Sequence, residues 1–99
     1  MISRQWRGLA NASQAGAYIE HLRKETFPQL RRIAGFVDAS ILQRNADPGV
    51  EFLVVTRWTS LAAIRKFAGN DVVTAVVPPE VQAMMIEYDK TVRHYEVIE

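Results

Sequence analysis

VEFLVVTRWTSLAAIRKFAG, residues 50–69, decides the fold, because a buried strand passes into a capped amphipathic helix within it. Val50, Phe52, Val54, Thr56 and Trp58 alternate onto one face of the strand, while Leu53 and Val55 sit on the other between Glu51 and Arg57. A period of two with apolar residues on both faces describes a strand covered on both sides. Thr59 or Ser60 then caps a helix whose stripe is Leu61, Ile64, Phe67 and Ala68, and Gly69 ends it.

Upstream, Ala46-Asp47-Pro48-Gly49 has turn chemistry, so the strand from Phe36 to about Asn45 pairs with the one after the turn as a hairpin. Ile2 to Leu9 reads as a first strand carrying Arg4 and Trp6. Asn11 with Gln14 forms a capping box for a helix along Ala15, Tyr18, Ile19 and Leu22, which Pro28 bends or interrupts; Leu30 and Ile33 prolong the stripe to Gly35. Downstream, Asp71 to Val77 is apolar without a clear period. Pro78-Pro79-Glu80 starts a short helix through about Ile86, and Thr91 to Ile98 alternates as a final strand.

The order is strand, helix, strand, strand, helix, strand. This is the split βαβ arrangement of an α+β, ferredoxin-like βαββαβ domain with an antiparallel sheet. Right-handed crossovers place both main helices on one side of the sheet. The other side has no element left to cover it, and a second copy packed sheet to sheet covers it most economically, so a homodimer is expected.

Ninety-nine residues make one domain, burying about 65% of the unfolded surface. Twelve basic and eleven acidic residues leave a net charge of +1, so no basic face for nucleic acid is expected. The absence of cysteine excludes disulfides, thiolate metal sites and thiolate haem ligation. No apolar run approaches the roughly 20 residues that span a bilayer, and no signal-like segment stands near Met1. A cytoplasmic protein without a membrane partner is expected.

Thr56-Arg57-Trp58-Thr59-Ser60-Leu61-Ala62-Ala63 with Phe67, Gly35-Phe36 and the closing His94-Tyr95-Glu96-Val97 together resemble the antibiotic biosynthesis monooxygenase superfamily. The resemblance implies a dimeric α+β barrel with a pocket between sheet and helices in each subunit. Its members include cofactor-free oxygenases acting on aromatic polyketides, quinol oxygenases and haem-degrading enzymes. Haem-degrading members carry an Asn, a Trp and a His where this chain has Arg7, Phe67 and Val76, which argues against haem degradation. The polyketide oxygenases favour Asn and Trp one helical turn apart, where Ala63 and Phe67 stand here.

His94 and Glu96 project from one strand face, where the carboxylate can orient the imidazole or raise its pKa, and they are the first catalytic candidates. The plain alternative is a hydrogen-bonded barrel or interface histidine. The first strand lies beside the last in this topology and brings Arg4 near the pair, either to hold an enolate or to form an ion pair with Glu96. Trp6, Trp58 and Phe67 are candidate walls for an aromatic ligand or ordinary core, and Asp38 is either a ligand contact or an edge carboxylate. His21 with Glu25 stands among Glu20, Arg23 and Lys24 and reads as a solvated face. No metal site and no cofactor signature is present. The expected function is a cofactor-independent monooxygenase-like protein acting on a small apolar or aromatic, polyketide- or quinol-like molecule. The alternative is a non-catalytic homodimer that binds a hydrophobic metabolite.

Overall fold

The computed structural model describes all residues from Met1 to Glu99. Strand β1 (Ile2–Asn11) is followed by a 3₁₀ turn (Ala12–Gln14), helix α1 (Ala15–His21), a π-helical turn (Leu22–Thr26) and helix α2 (Phe27–Arg31). The hairpin of β2 (Phe36–Ala46) and β3 (Gly49–Trp58) leads into α3 (Leu61–Ala68). The chain closes with α4 (Pro79–Gln82), β4 (Met85–Tyr88) and β5 (Arg93–Glu96).

The strands form one antiparallel sheet in the order β2-β3-β1-β4, with β5 also pairing β1. This is the ferredoxin-like α+β order that the element sequence implies. β1 pairs β3 along its whole length, from Ile2 opposite Trp58 to Asn11 opposite Gly49. Even-numbered residues of β1 therefore share a face with Val50, Phe52, Val54, Thr56 and Trp58. On that face Phe52 and Trp58 are fully buried and join Tyr18, Leu22, Phe27, Leu30 and Ile64 in one core, so both helical runs lie on the same side. Burying each of these large apolar side chains contributes about 1.5–3 kcal/mol.

Three local expectations are corrected. Asn11 does not cap a helix: it ends β1, and its backbone N–H and side-chain Nδ2–H both donate to the Met84 carbonyl, at 2.9 and 3.3 Å. Pro28 does not end its helical run; α-winding gives way to five π-wound residues just before it and resumes at Phe27. The final strand, β5, pairs Ile2 to Gln5 as expected, but an unexpected short strand, β4, precedes it and pairs Gly8 to Ala10. Ile86 accordingly lies in β4 rather than in a helix.

The cap at Ser60 is as expected, its hydroxyl accepting from Ala63 N–H at 3.1 Å. At the other contact of this helix, Gly35 adopts a φ of 98°, and a Cβ there would lie 2.5 Å from the Ala63 Cβ. Residues 70–78 contain no helix or strand, only a bridge from Thr74 to Thr91, and they run over the β1–β5 edge.

The uncovered face is less apolar than the strand pattern suggests. Leu42, Leu53, Val55 and Tyr95 share it with Arg7 and Arg44, which both reach Glu51 at 2.6 Å, and with Arg57, which holds Asp38 at 2.8 Å. Most charges on this face are thus neutralised within the sheet, whereas exposed Arg93, beside Tyr95, forms no ion pair.

Candidate functional site: a cavity under the first helical run

Between the first helical run and the sheet lies a small, partly open cavity of about 80 Å³. That is well below the roughly 300–1,000 Å³ of drug-sized ligand sites, so the space suits a small ligand or one that extends out through the mouth. The sheet supplies Arg4, Trp6, Val54 and Thr56; the helical run supplies Tyr18, His21, Leu22 and Phe27; Phe67 of α3 and the Val76 to Pro78 segment complete the wall.

Register positions these side chains. Arg4 and Trp6 are consecutive inward residues of β1, opposite Thr56 and Val54 of β3. The Trp6 ring lies across Gly8, where an added Cβ would come within 2.5 Å of its Cη2. It is tilted against Tyr18 and Tyr88 with centroids 6.0 and 6.3 Å apart, and its indole N–H donates to the Asp89 carbonyl at 2.8 Å. A large aromatic pinned at one end is a rigid wall.

Arg4 is the unusual group. It is only 5% exposed, and its Nη1 donates to the Val72 carbonyl at 2.6 Å and to His94 Nε2 at 3.0 Å; Nη2 reaches the Thr74 carbonyl at 3.5 Å. Its Cζ stands 6.0 Å from the Phe67 ring centroid. None of the ion pairs of the chain includes it. Burial pushes the guanidinium down to about 10, so it remains a cation at neutral pH.

His94 sits opposite Arg4 in the β1–β5 pair. A guanidinium has only donors, so Nε2 must be the acceptor and the imidazole is neutral with its proton on Nδ1. Burial, and then the Arg4 charge, hold this histidine below its ordinary value. The raised pKa that Glu96 was expected to cause is therefore corrected. Glu96 is exposed and appears in neither a hydrogen bond nor an ion pair with His94 or Arg4. His94 itself stands behind Arg4 and does not line the cavity.

The other candidates divide. Phe67 and Trp6 line the cavity, whereas Trp58 is wholly buried behind Phe67, 6.4 Å away, with its N–H given to Thr56 Oγ1 at 2.9 Å. Asp38 lies on the uncovered face of edge strand β2, held by Arg57, whose hydrogen bond, aided by its charge, keeps the carboxyl below its ordinary range. His21, read from the sequence as solvated, lines the cavity instead, with its side chain 9% exposed and Nδ1 3.8 Å from Glu80 Oε1. The helical stripe through Tyr18 and Leu22 held the signal, because residue 21 lies three positions after Tyr18 on the inner side of the run.

Tyr18 is 3% exposed, and its hydroxyl forms no hydrogen bond within the chain. No sealed side-chain polar atom lacks a partner, so this hydroxyl opens on the cavity. Burial pushes the phenol above its ordinary value and keeps it a donor.

Residues 5–79 match the family model described as antibiotic biosynthesis monooxygenase. The chain belongs to the antibiotic biosynthesis monooxygenase family. Arg4 and His94 both lie outside the span that matches the family model. The fold is similar to that of a variant of SnoaB, a cofactor-independent oxygenase from Streptomyces nogalater, with a TM-score of 0.68, 17% identity and coverage of 99% of this chain and 93% of that one. A protein from Shewanella oneidensis gives 0.71 at 18% identity over 95% of this chain and 87% of that one. A conserved protein from Methanosarcina mazei gives 0.70 at 13% identity, covering 95% and 89%. No curated protein matches the sequence. The antibiotic biosynthesis monooxygenase fold here does not present the residues a haem would need at the positions the resemblance assigns. Arg7 is on the opposite sheet face with Glu51, while Phe67 and Val76 reach the cavity without a ligand atom.

Proposed function

We propose that this protein is a cofactor-independent oxygenase of its family, taking a small aromatic, polyketide- or quinol-like molecule into the cavity. The observation that carries the reading is a buried cation, Arg4, at an aromatic wall formed by Trp6 and Phe67. A hydroxylated aromatic methylene loses a proton to a base, and the resulting enolate or phenolate delivers electrons to dioxygen. Oxidation of that methylene to a carbonyl removes two hydrogens, inserts one oxygen atom and releases the other as water. The substrate supplies all four electrons, so the balance needs no further reductant.

In this reading Arg4 stabilises the oxyanion, a donor placed where charge develops in a low-dielectric site. His21 is the base, because it lines the space and imidazole is suited to proton transfer near neutral pH. His94 holds Arg4 in place and has its Nε2 lone pair engaged in doing so. The test is oxygen uptake with hydroxylated anthrones and quinols, monitored with carbonyl product. One oxygen consumed per substrate, lost in both Arg4→Met and His21→Ala, is the expected result. Binding of these compounds without any uptake would replace this reading with that of a non-catalytic binding protein, which Ala63 supports by standing where the polyketide oxygenases favour Asn.

We further infer a homodimer through the uncovered sheet face. Leu42, 51% exposed, and Tyr95, 49% exposed, share the face with Leu53 and Val55, and Arg7, Arg44 and Arg57 there already have carboxylate partners. A second copy buries the apolar groups, provided exposed Arg93 stays at the rim of the contact. A molecular mass of one chain by sedimentation at micromolar concentration would overturn this.

A further inference from the structure

We propose that the cavity selects a small aromatic oxyanion, carboxylate or phenolate, already charged when it enters, with the anionic group seated at Arg4 and the ring against Trp6 and Phe67. The inference rests on the reading of this cavity as the ligand site, and it does not depend on oxygen chemistry.

A buried charge is ordinarily paired, because removing it from water costs several kcal/mol that neutral partners recover only in part. Arg4 has no such pairing. Its partners are two backbone carbonyls and a neutral imidazole. The carboxylate that touches a lining side chain, Glu80, faces His21 and is 65% exposed. A guanidinium has five N–H donors, and the contacts within the chain engage three of them. Since no sealed side-chain polar atom lacks a partner, the unpartnered Nε is not sealed, and Arg4 lines the cavity. The fork matches a planar oxyanion better than any neutral group.

Two neighbours fit the same ligand. The Tyr18 hydroxyl, free of partners in the chain and held in its protonated form, is a second donor beside the cavity. The Phe67 ring beneath Arg4 gives the guanidinium and an aromatic ligand a shared apolar floor. A neutral ligand of equal shape would leave Arg4 buried and uncompensated, whereas an oxyanion completes the pair.

Isothermal titration of the full chain with naphthoate, naphthamide and a nitronaphthol ionised near neutral pH tests the proposal. Naphthoate or the nitronaphtholate is expected to bind at least about tenfold more tightly than naphthamide, a difference typical of one charge-assisted contact. Preference for one anion over the other identifies the source of the oxyanion. Arg4→Met is expected to abolish the preference, and Arg4→Lys to reduce it, since the charge survives but the fork is lost. Equal affinity for amide and anions in the unaltered protein overturns the proposal without recourse to any variant. So does a preference that persists in Arg4→Met. Anion binding without oxygen uptake leaves this inference standing and removes the oxygenase reading, and uptake from neutral ligands alone does the reverse.

Discussion

Arg4 Nη1 donates to His94 Nε2 across 3.0 Å, joining the second inward residue of β1 to the second residue of β5. Because the arginine can only donate, this contact exists only while His94 is neutral. The pair couples the position of the buried cation to the proton on a neighbouring strand.

Stability is expected to fall as pH drops below about 6.5, the ordinary histidine value, through the lower value His94 takes in the fold. The sign follows from linkage: with the folded value depressed, the unfolded chain binds more protons in this window. The contribution is complete above the unfolded value and is lost as pH falls. Arg4, lowered to about 10, titrates outside the window. Urea unfolding midpoints across this range should decline in the wild type and decline less in His94→Gln, which keeps an acceptor without the titration. Parallel declines in both proteins would assign the slope elsewhere.

His94→Ala should weaken binding of an anionic ligand several-fold by releasing Arg4, while His94→Gln restores most of it. Calorimetry with naphthoate reads this directly. A merely structural histidine would lower the affinities for naphthoate and naphthamide alike.

Gly8→Ala should destabilise the fold by about 1–3 kcal/mol, the range for forcing an added group into a packed site. The new Cβ would fall 2.5 Å from Trp6 Cη2 and 2.9 Å from the Met85 sulfur. Displacement of the indole should also shift tryptophan emission, so an unchanged spectrum with unchanged stability contradicts the packing described.

Ser60→Ala should cost about 1 kcal/mol through loss of the cap on α3, as at other helix N-termini. Denaturant unfolding measures it, and Ser60→Asp should recover most of the loss.

Leu53→Glu should convert the proposed dimer to a monomer, since it replaces an apolar contact of the uncovered face with a charge that the dimer would have to desolvate. Sedimentation at matched concentration distinguishes the two states.

The strands and the second main helix were legible because their signals are local. Alternation from Val50 to Trp58 sets which residues face inward, Ser60 begins α3, and Gly69 with its φ of 81° ends it. The expected Asn11 cap failed because a long-range partner, the Met84 carbonyl, engages that residue. β4 was hidden for a similar reason: it is only four residues long, and its pairing with β1 defines it.

By itself the sequence determined the order of the main elements and the inward face of the sheet, because side chains alternate with a strict period of two, and the expected neighbouring of the first and last strands pointed to the approach of Arg4 to His94. The tertiary structure alone decided that Arg4 lacks a carboxylate, that Glu96 turns to solvent, that Asp38 pairs with Arg57 on the far face, and that His21 reaches the cavity. Those outcomes depend on which distant segment covers a side chain and excludes water from it. Charge compensation and desolvation are properties of that three-dimensional surrounding, and neighbours in the chain do not specify them.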